Sequence, residues 1–428
     1  MSRQPAKFTS DNERLCKGFE WAKAQAEEFV RDNATVGPCY EASLPNRDSF
    51  CMRDYSHQSV GAHCLGLIEH NRNMMRAFTD GVSESKDWCT FWEITSEGKP
   101  TPVEYSSDSD FWYNLPSNFD IMDTASRLYD LTGDSSYLLS PSSVNFFTTT
   151  LEKYIPRWDR DGDGIVDRVD GDGRRGIASY EEAGTTGYAC AADAFALEYS
   201  AFKSAARMFQ MKNDPERASD CLKKAERLHD TFKNEWWSSE YRRFYEFRNR
   251  DGSFNPKRSD GNNMFPLRTG IITDSSQIEG QFRALMEFED SMNVEIRSYV
   301  PMLLWKYGRD DEAMRVWLKM TDESYQRRDY PEVSYAAIEA LLCGYMGIGA
   351  DFDRRILTTR SACAETSRVT GFPLWNGSVD VCHEEKKKTV ITNRSGYDLT
   401  WIAEFPSGNK NHNGRKRKDC RMPGVANT

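Results

Sequence analysis

No run of apolar residues in the chain reaches the length needed to cross a bilayer, and the opening MSRQPAKFTSDNERL has no apolar core of the kind a secretory signal carries. The expectation is no membrane partner and a cytoplasmic protein as written, secreted or periplasmic if residues precede Met1. Sequons at Asn33, Asn376 and Asn393 are too short a signal to change it. A basic excess is also missing: 56 Lys and Arg stand against 66 Asp and Glu, a formal charge of −10, so no nucleic-acid face is implied. The RKRK block at 415–418 is the exception, in a Gly/Asn-rich tail that reads as solvated and mobile. The eleven cysteines form no CxxC pair and no zinc-like cluster, which points to reduced, packed thiols. With 428 residues a sizeable core needs no disulfide support.

What is present is helical periodicity. Residues 11–32 place Leu15, Phe19, Ala22, Ala26 and Phe29 on one face, with Ser10 or Asp11 as N-cap. A loose unit recurs in LYDLTGDSSYL, MFQMKNDPERA and LWKYGRDDEAM. In each, a helix ends on aromatics, breaks at Gly133, Asn213 or Gly308, and restarts near an Asp. Further helices fit 142–156, 188–211, 214–234, 275–290, 294–307, 310–325 and 333–347, with long loops at 157–187, 236–274 and 326–332. About a dozen helices paired by tight turns predict an all-α fold, a closed double ring of helical hairpins over 12–375. VDVCHE, TVITN and LTWIAEF switch to period two and predict a small antiparallel sheet over 376–405, followed by a polar tail at 406–428.

Titratable residues concentrate in FCMRDYSHQSVGAHCLGL, where Arg53, Asp54, His57 and Gln58 sit at a helix mouth. A helix-start ion pair and a core-edge histidine explain the same residues. SYEEAG offers Glu181 and Glu182: adjacent carboxylates diverge and raise the proton affinity of at least one, which suits a general acid, and a solvated acidic loop explains the same residues. Glu332 follows Pro331 at another helix mouth, a place where a Glu also gains simply from the helix dipole. Near these loops lie many aromatics, Trp112 among them; flat rings suit the C–H faces of sugars, and core packing accounts for others. Asp159, Asp161, Asp163 and Asp167, in DRDGDGIVD, match the front of a calcium loop, but position 12 is Asp170 rather than Glu. An Asp/Gly turn without metal fits equally, so no cofactor is expected beyond a structural calcium held by these residues.

RDYSHQ before a helix, DRDGDGIVD leading into SYEE, and YPEVSYAAIEALLCGYMGI, followed by a short terminal sheet, resemble the six-hairpin glycosidases with an (α/α)6 barrel. The resemblance covers roughly 12–405 and leans toward glycoside hydrolase family 154, associated with β-glucuronidase activity. It implies a glycoside hydrolase acting on a glycoside or oligosaccharide by inversion. In glucoamylase-like members an Arg-Asp pair holds the sugar, which falls on Arg53 and Asp54. A Trp-Glu-Glu element carries the acid, which falls on Glu181 with Glu182 as a substrate contact, and a late Glu is the base, which falls on Glu332. Tyr180 stands where that Trp would be. A uronate would need Arg53, Arg47 or Arg268; His57 and Gln58 would reach hydroxyls. Two other readings remain: an unsaturated uronyl hydrolase with Asp54 as acid, and a non-catalytic carbohydrate-binding protein. Oligomeric state is not encoded in any of these patterns.

Overall fold

The computed structural model describes residues 4–168, 174–181, 187–259, 264–406 and 415–422. Six helices form its centre: α1 (Met52–Cys64), α2 (Pro116–Thr132), α3 (Ala192–Met211), α4 (Met264–Thr269), α5 (Val294–Lys306) and α6 (Pro331–Glu339). They touch in succession from α1 to α6, and α6 returns to α1. Sequence explains the placement. In α1 every residue except Arg53 is buried, and a helix buried all round belongs to an interior. Helix Glu13–Glu28, by contrast, buries only Leu15, Gly18, Phe19, Ala22 and Ala26, and packs that stripe on α6. Asn12 caps it, one position beyond the expected Asp11. Helices Pro215–Glu235, Ser275–Met286 and Asp310–Met320 pack in the same way on α3, α4 and α5. The turns at Gly133, Asn213 and Gly308 take φ of 67°, 58° and 80°, the left-handed conformation those residues tolerate best.

The expected loop 236–274 contains α4, a member of the central succession. Its six residues include Pro266, too short and too interrupted to show a period.

The chain is not all-α: 47% is helical and 19% lies in strands, in several small sheets. Two sheets have four strands each, built from β1 (Lys7–Ser10), β2 (Gly349–Asp351), β3 (Ile356–Arg360), β4 (Ser367–Leu374), β5 (Gly377–Glu384), β6 (Lys388–Arg394), β7 (Leu399–Pro406) and β8 (Arg415–Met422). One runs β1-β4-β5-β6 and the other β2-β3-β7-β8. The second is not purely antiparallel, because β3 and β7 pair in parallel with Leu357 opposite Trp401. Strand pairing thus extends beyond the 376–405 pattern. It begins at Gly349, recruits the N-terminal β1, and includes the RKRK block, which lies in β8 against β7. Neither β1, with four residues, nor the charged β8 carries an apolar alternation to read. His63, near the C-terminal end of α1, contacts the Pro373 carbonyl of β4 at 2.9 Å, so strands cover the end of α1 remote from Asp54.

Helices α1 and α6 approach closely because residue 61 is glycine. A Cβ there would stand 2.1 Å from the Tyr335 carbonyl oxygen, a clash with backbone that no rotamer relieves. Gly61→Ala is expected to lower stability by about 1–3 kcal/mol through forced separation of the helices. A thermal melt checks this; an unchanged midpoint would show that the close approach is dispensable.

Candidate active site

The first turns of α1, α4, α5 and α6 line one pocket of about 500 Å³. It brings Arg53, Asp54, His57, Trp112, Glu181 and Glu332 to a common surface. Two predicted contacts are not on it. Gln58 is buried within α1, where its amide, in the orientation that satisfies both neighbours, accepts from the Glu332 N–H and donates to the Glu41 carbonyl. Arg268 sits behind the wall, 3.1 Å from Asp120. Glu182 lies outside the described residues.

Asp54 is in the first turn of α1 and Glu332 in the first turn of α6, so each carboxyl meets the positive end of its own helix. The Gly61 contact sets these two turns side by side, so the two buried carboxyls act directly on each other. Both cannot be charged there at low cost. Burial pushes the Glu332 carboxyl well above the ordinary range, and the Asp54 charge pushes it further. Burial also opposes charge on Asp54, but Arg53, Glu332 and Cys51 outweigh it and hold that carboxyl below its ordinary value. Glu332 therefore carries the proton and Asp54 the charge. Tyr299 donates to Glu332 Oε1 at 2.5 Å, which fixes the neutral group's orientation.

Beneath this pair lies a polar floor that the sequence patterns did not point to. Asp120 of α2 is fully buried and collects three partners. His57 Nε2 is 3.1 Å from Oδ2, short of good hydrogen-bond alignment; the Tyr180 hydroxyl donates to Oδ2 at 3.2 Å; Arg268 donates to Oδ1 at 3.1 Å. Burial works against its charge, yet Arg268 and His57 bring Asp120 to about 2. Burial, aided by Arg268, lowers His57 to about 4, leaving a neutral imidazole packed 4.6 Å from the Tyr299 ring. In sequence, Asp120 is one acid in a helix of mixed composition, and nothing marked it.

The half-buried Glu181 is held on its loop from below. Its N–H donates to Ser179 Oγ, which donates to Asp193 Oδ2, and Asp193 also accepts from the Tyr180 N–H at 2.5 Å. Burial raises Asp193 to about 7. Trp112 donates to Asn114, and Asn114 to the Ser179 carbonyl, so the indole is tied to the loop that carries Glu181. Arg53 lies 5.9 Å from the ring centres of both Trp92 and Tyr180. Arg47 also lines the pocket, committed to Glu93 at 2.8 Å and Glu104 at 3.3 Å.

Away from the pocket, Asp159, Asp161 and Asp167 bring one oxygen each within 4.8 Å of one another. Asp163 turns instead to Arg248 at 2.6 Å, and Asp170 lies outside the described residues.

Glu332, with its raised value, contributes stability that is complete below the ordinary glutamate range and lost as pH rises through the folded-state value. Glu332→Gln keeps the neutral shape and removes the titration. The melting midpoint of the variant relative to wild type should therefore rise between about pH 5 and pH 9. A parallel pair of curves would mean that Glu332 is already ionised at neutrality.

No protein-family model matches the chain, and no curated protein matches it by sequence. Solved structures do match in fold. A GH78-family rhamnosidase of Bacillus sp. GL1 shares 13% identity at a TM-score of 0.59, covering 88% of this chain and 40% of that one. The α-L-rhamnosidase of Aspergillus terreus shares 13% at 0.63, covering 99% and 50%. A glycosidase solved in complex with glucose shares 12% at 0.57, covering 78% of this chain and 98% of that one. The chain thus spans half or less of these rhamnosidases and nearly all of the smaller glycosidase. At such identities the similarity is one of fold, and the fold is glycosidase-like.

Proposed function

We propose that the protein is a glycoside hydrolase that inverts the anomeric centre, working in the pocket between the first turns of α1, α4, α5 and α6. The central succession of six helices is read as the (α/α)6 barrel that the sequence resemblance implied, ending before the strands that begin at Gly349. The observation that carries the reading is the Asp54–Glu332 pair, one carboxyl held neutral and its neighbour held ionised inside a polar pocket. Groups whose proton affinities are driven apart in this way suit acid chemistry at neutral pH.

The scheme reverses the roles suggested by the resemblance. Glu332 holds a proton at rest, so it serves as general acid: it protonates the glycosidic oxygen as the bond to the anomeric carbon breaks. Glu181, on the Tyr180 loop, serves as general base: it takes a proton from the water that attacks the opposite ring face. Inversion requires a separation of ~6.5–9.5 Å between them to leave room for that water. Asp54 remains ionised, keeps the proton on Glu332 until reaction, and offsets positive charge developing on the sugar. An Asp54-centred hydration of an unsaturated uronide needs the proton on Asp54, where Arg53 and Glu332 work against it.

For the sugar, a β-glucuronide or related uronide is the substrate we assign, with Arg53 as the arginine that would meet its carboxylate. Arg53 and Arg47 both line the pocket, Arg53 beside Asp54 at the carboxyl pair and Arg47 against Glu93 and Glu104, whereas Arg268 lies behind the wall against Asp120. The rhamnosidases among the structural neighbours make rhamnosides the comparison substrate.

Glu181→Gln should lose activity by about 10²–10⁴ on every substrate, whereas Glu332→Gln should lose that much on alkyl glycosides and far less on aryl glycosides with acidic leaving groups. Steady-state kinetics on the two substrate types checks this. The opposite pattern would return the acid role to Glu181, and full activity in both variants would remove the hydrolase reading. Arg53→Ala should raise KM for the glucuronide much more than for the matched rhamnoside, and equal effects would exclude the uronate.

A further inference from the structure

The Asp-rich loop stands apart from the pocket, and its first residues have the geometry of an oxygen-ligand cation loop. Asp159 accepts from the N–H of Gly162 and of Gly164, both at 2.8 Å, which curls the chain so that Asp161 and Asp167 face the same point. Gly162 and Gly164 take φ of 80° and 87°, as the tight turn requires. On its own this describes any Asp/Gly turn. The observation that separates the two cases comes from another element. Glu198, in α3, is fully buried, and neither of its carboxylate oxygens has a hydrogen-bond partner. It lies against the loop, where the Val166 amide and Arg227 favour its charge and Asp163 and Asp159 oppose it. Asp167, 4% exposed, likewise has one oxygen, Oδ1, with no partner. Asp167 is one of the three clustered acids, and Glu198 stands behind them as a second buried carboxylate with unmatched oxygens, outside the 4.8 Å cluster. A buried carboxylate in that state is costly unless a counter-charge or proton satisfies it. Arg248 makes its close contact with Asp163 at 2.6 Å and stands 3.9 Å from Asp161, and Arg227 donates to the Asp163 carbonyl; neither hydrogen-bonds Glu198 or Asp167 Oδ1.

We propose that Asp159, Asp161 and Asp167, closed from behind by Glu198, bind one calcium ion. Glu198 supplies from α3 the carboxylate that a calcium loop normally draws from its own twelfth position. The donor set is all oxygen, which suits a hard cation and not zinc, and its irregular spacing suits calcium better than the strict octahedron of magnesium. Position explains its use. The Asp167 N–H donates to Trp158 and the Arg168 N–H to Ala189, whose strand, Tyr188–Ala191, runs directly into α3. Asp193, in the first turn of α3, holds Tyr180 and thereby the Glu181 loop. The ion ties together the two ends of the segment that carries Glu181. This assignment does not depend on the reaction catalysed in the pocket.

The test uses the full chain, stripped with chelator and titrated with calcium chloride in a calorimeter, alongside thermal melts in chelator and in calcium at about 10 mM, roughly tenfold above the dissociation constant of the weakest calcium modules. The expected result is one saturable site per chain and a midpoint several degrees higher with calcium, both absent in Asp159→Asn and Glu198→Gln. In chelator, Glu198→Gln should melt no lower than wild type, because the amide takes the place of an unmatched carboxyl. If Glu198→Gln does not fold, Asp161→Asn, at an exposed position, carries the comparison and should weaken binding at least tenfold. No heat and no shift in wild type would overturn the site. Binding that survives Glu198→Gln unchanged would overturn the role of Glu198.

Discussion

One proton, kept on Glu332 beside an ionised Asp54, organises the pocket. Two buried carboxyls set side by side cannot both be charged at low cost, so the environment decides which one is neutral. Arg53 stands beside Asp54 and Tyr299 donates to Glu332, and the two first turns meet only because Gly61 lets α1 and α6 touch through backbone. Remove that close approach and the carboxyls separate, each regains water, and the difference between them shrinks. The chemistry proposed for the pocket therefore rests on a packing contact two helical turns below it.

The same logic repeats beneath. Asp120 is buried without cost to the fold because His57, Tyr180 and Arg268 converge on it. Asp193 accepts two backbone N–H groups and a serine hydroxyl, and so anchors a loop that has little apolar surface of its own. These networks make the pocket walls rigid from behind, which is what a site must have if its groups are to be in place before substrate arrives. The flanking sheets play another part: β4 covers the far end of α1 through His63, leaving the opposite ends of the helices open to form the mouth.

Much of this was legible in the residues. Helical period, the Gly133, Asn213 and Gly308 turns, and helix-mouth positions for Asp54 and Glu332 follow from local rules that need no tertiary information. The same rules missed α4, because six residues around Pro266 show no period, and missed β1 and β8, whose residues carry no alternation. The resemblance also offered Gln58 and Arg268 as substrate contacts, and neither lines the pocket, because Gln58 is buried against α6 and Arg268 against Asp120, packing that no local pattern announces.

The sequence by itself determined that the chain would be built from helical hairpins, that a polar cluster would open α1, and that acids would gather at 159–167, at 181 and at 332. Each of these depends on residues within a few positions of one another. Tertiary structure alone decided which carboxyl keeps a proton, that Asp120 forms the floor, and that Glu198 turns its unmatched carboxylate toward the 159–167 loop. A carboxyl's charge is set by burial and by neighbours tens or hundreds of residues away, and those distances exist only once the helices have closed on one another.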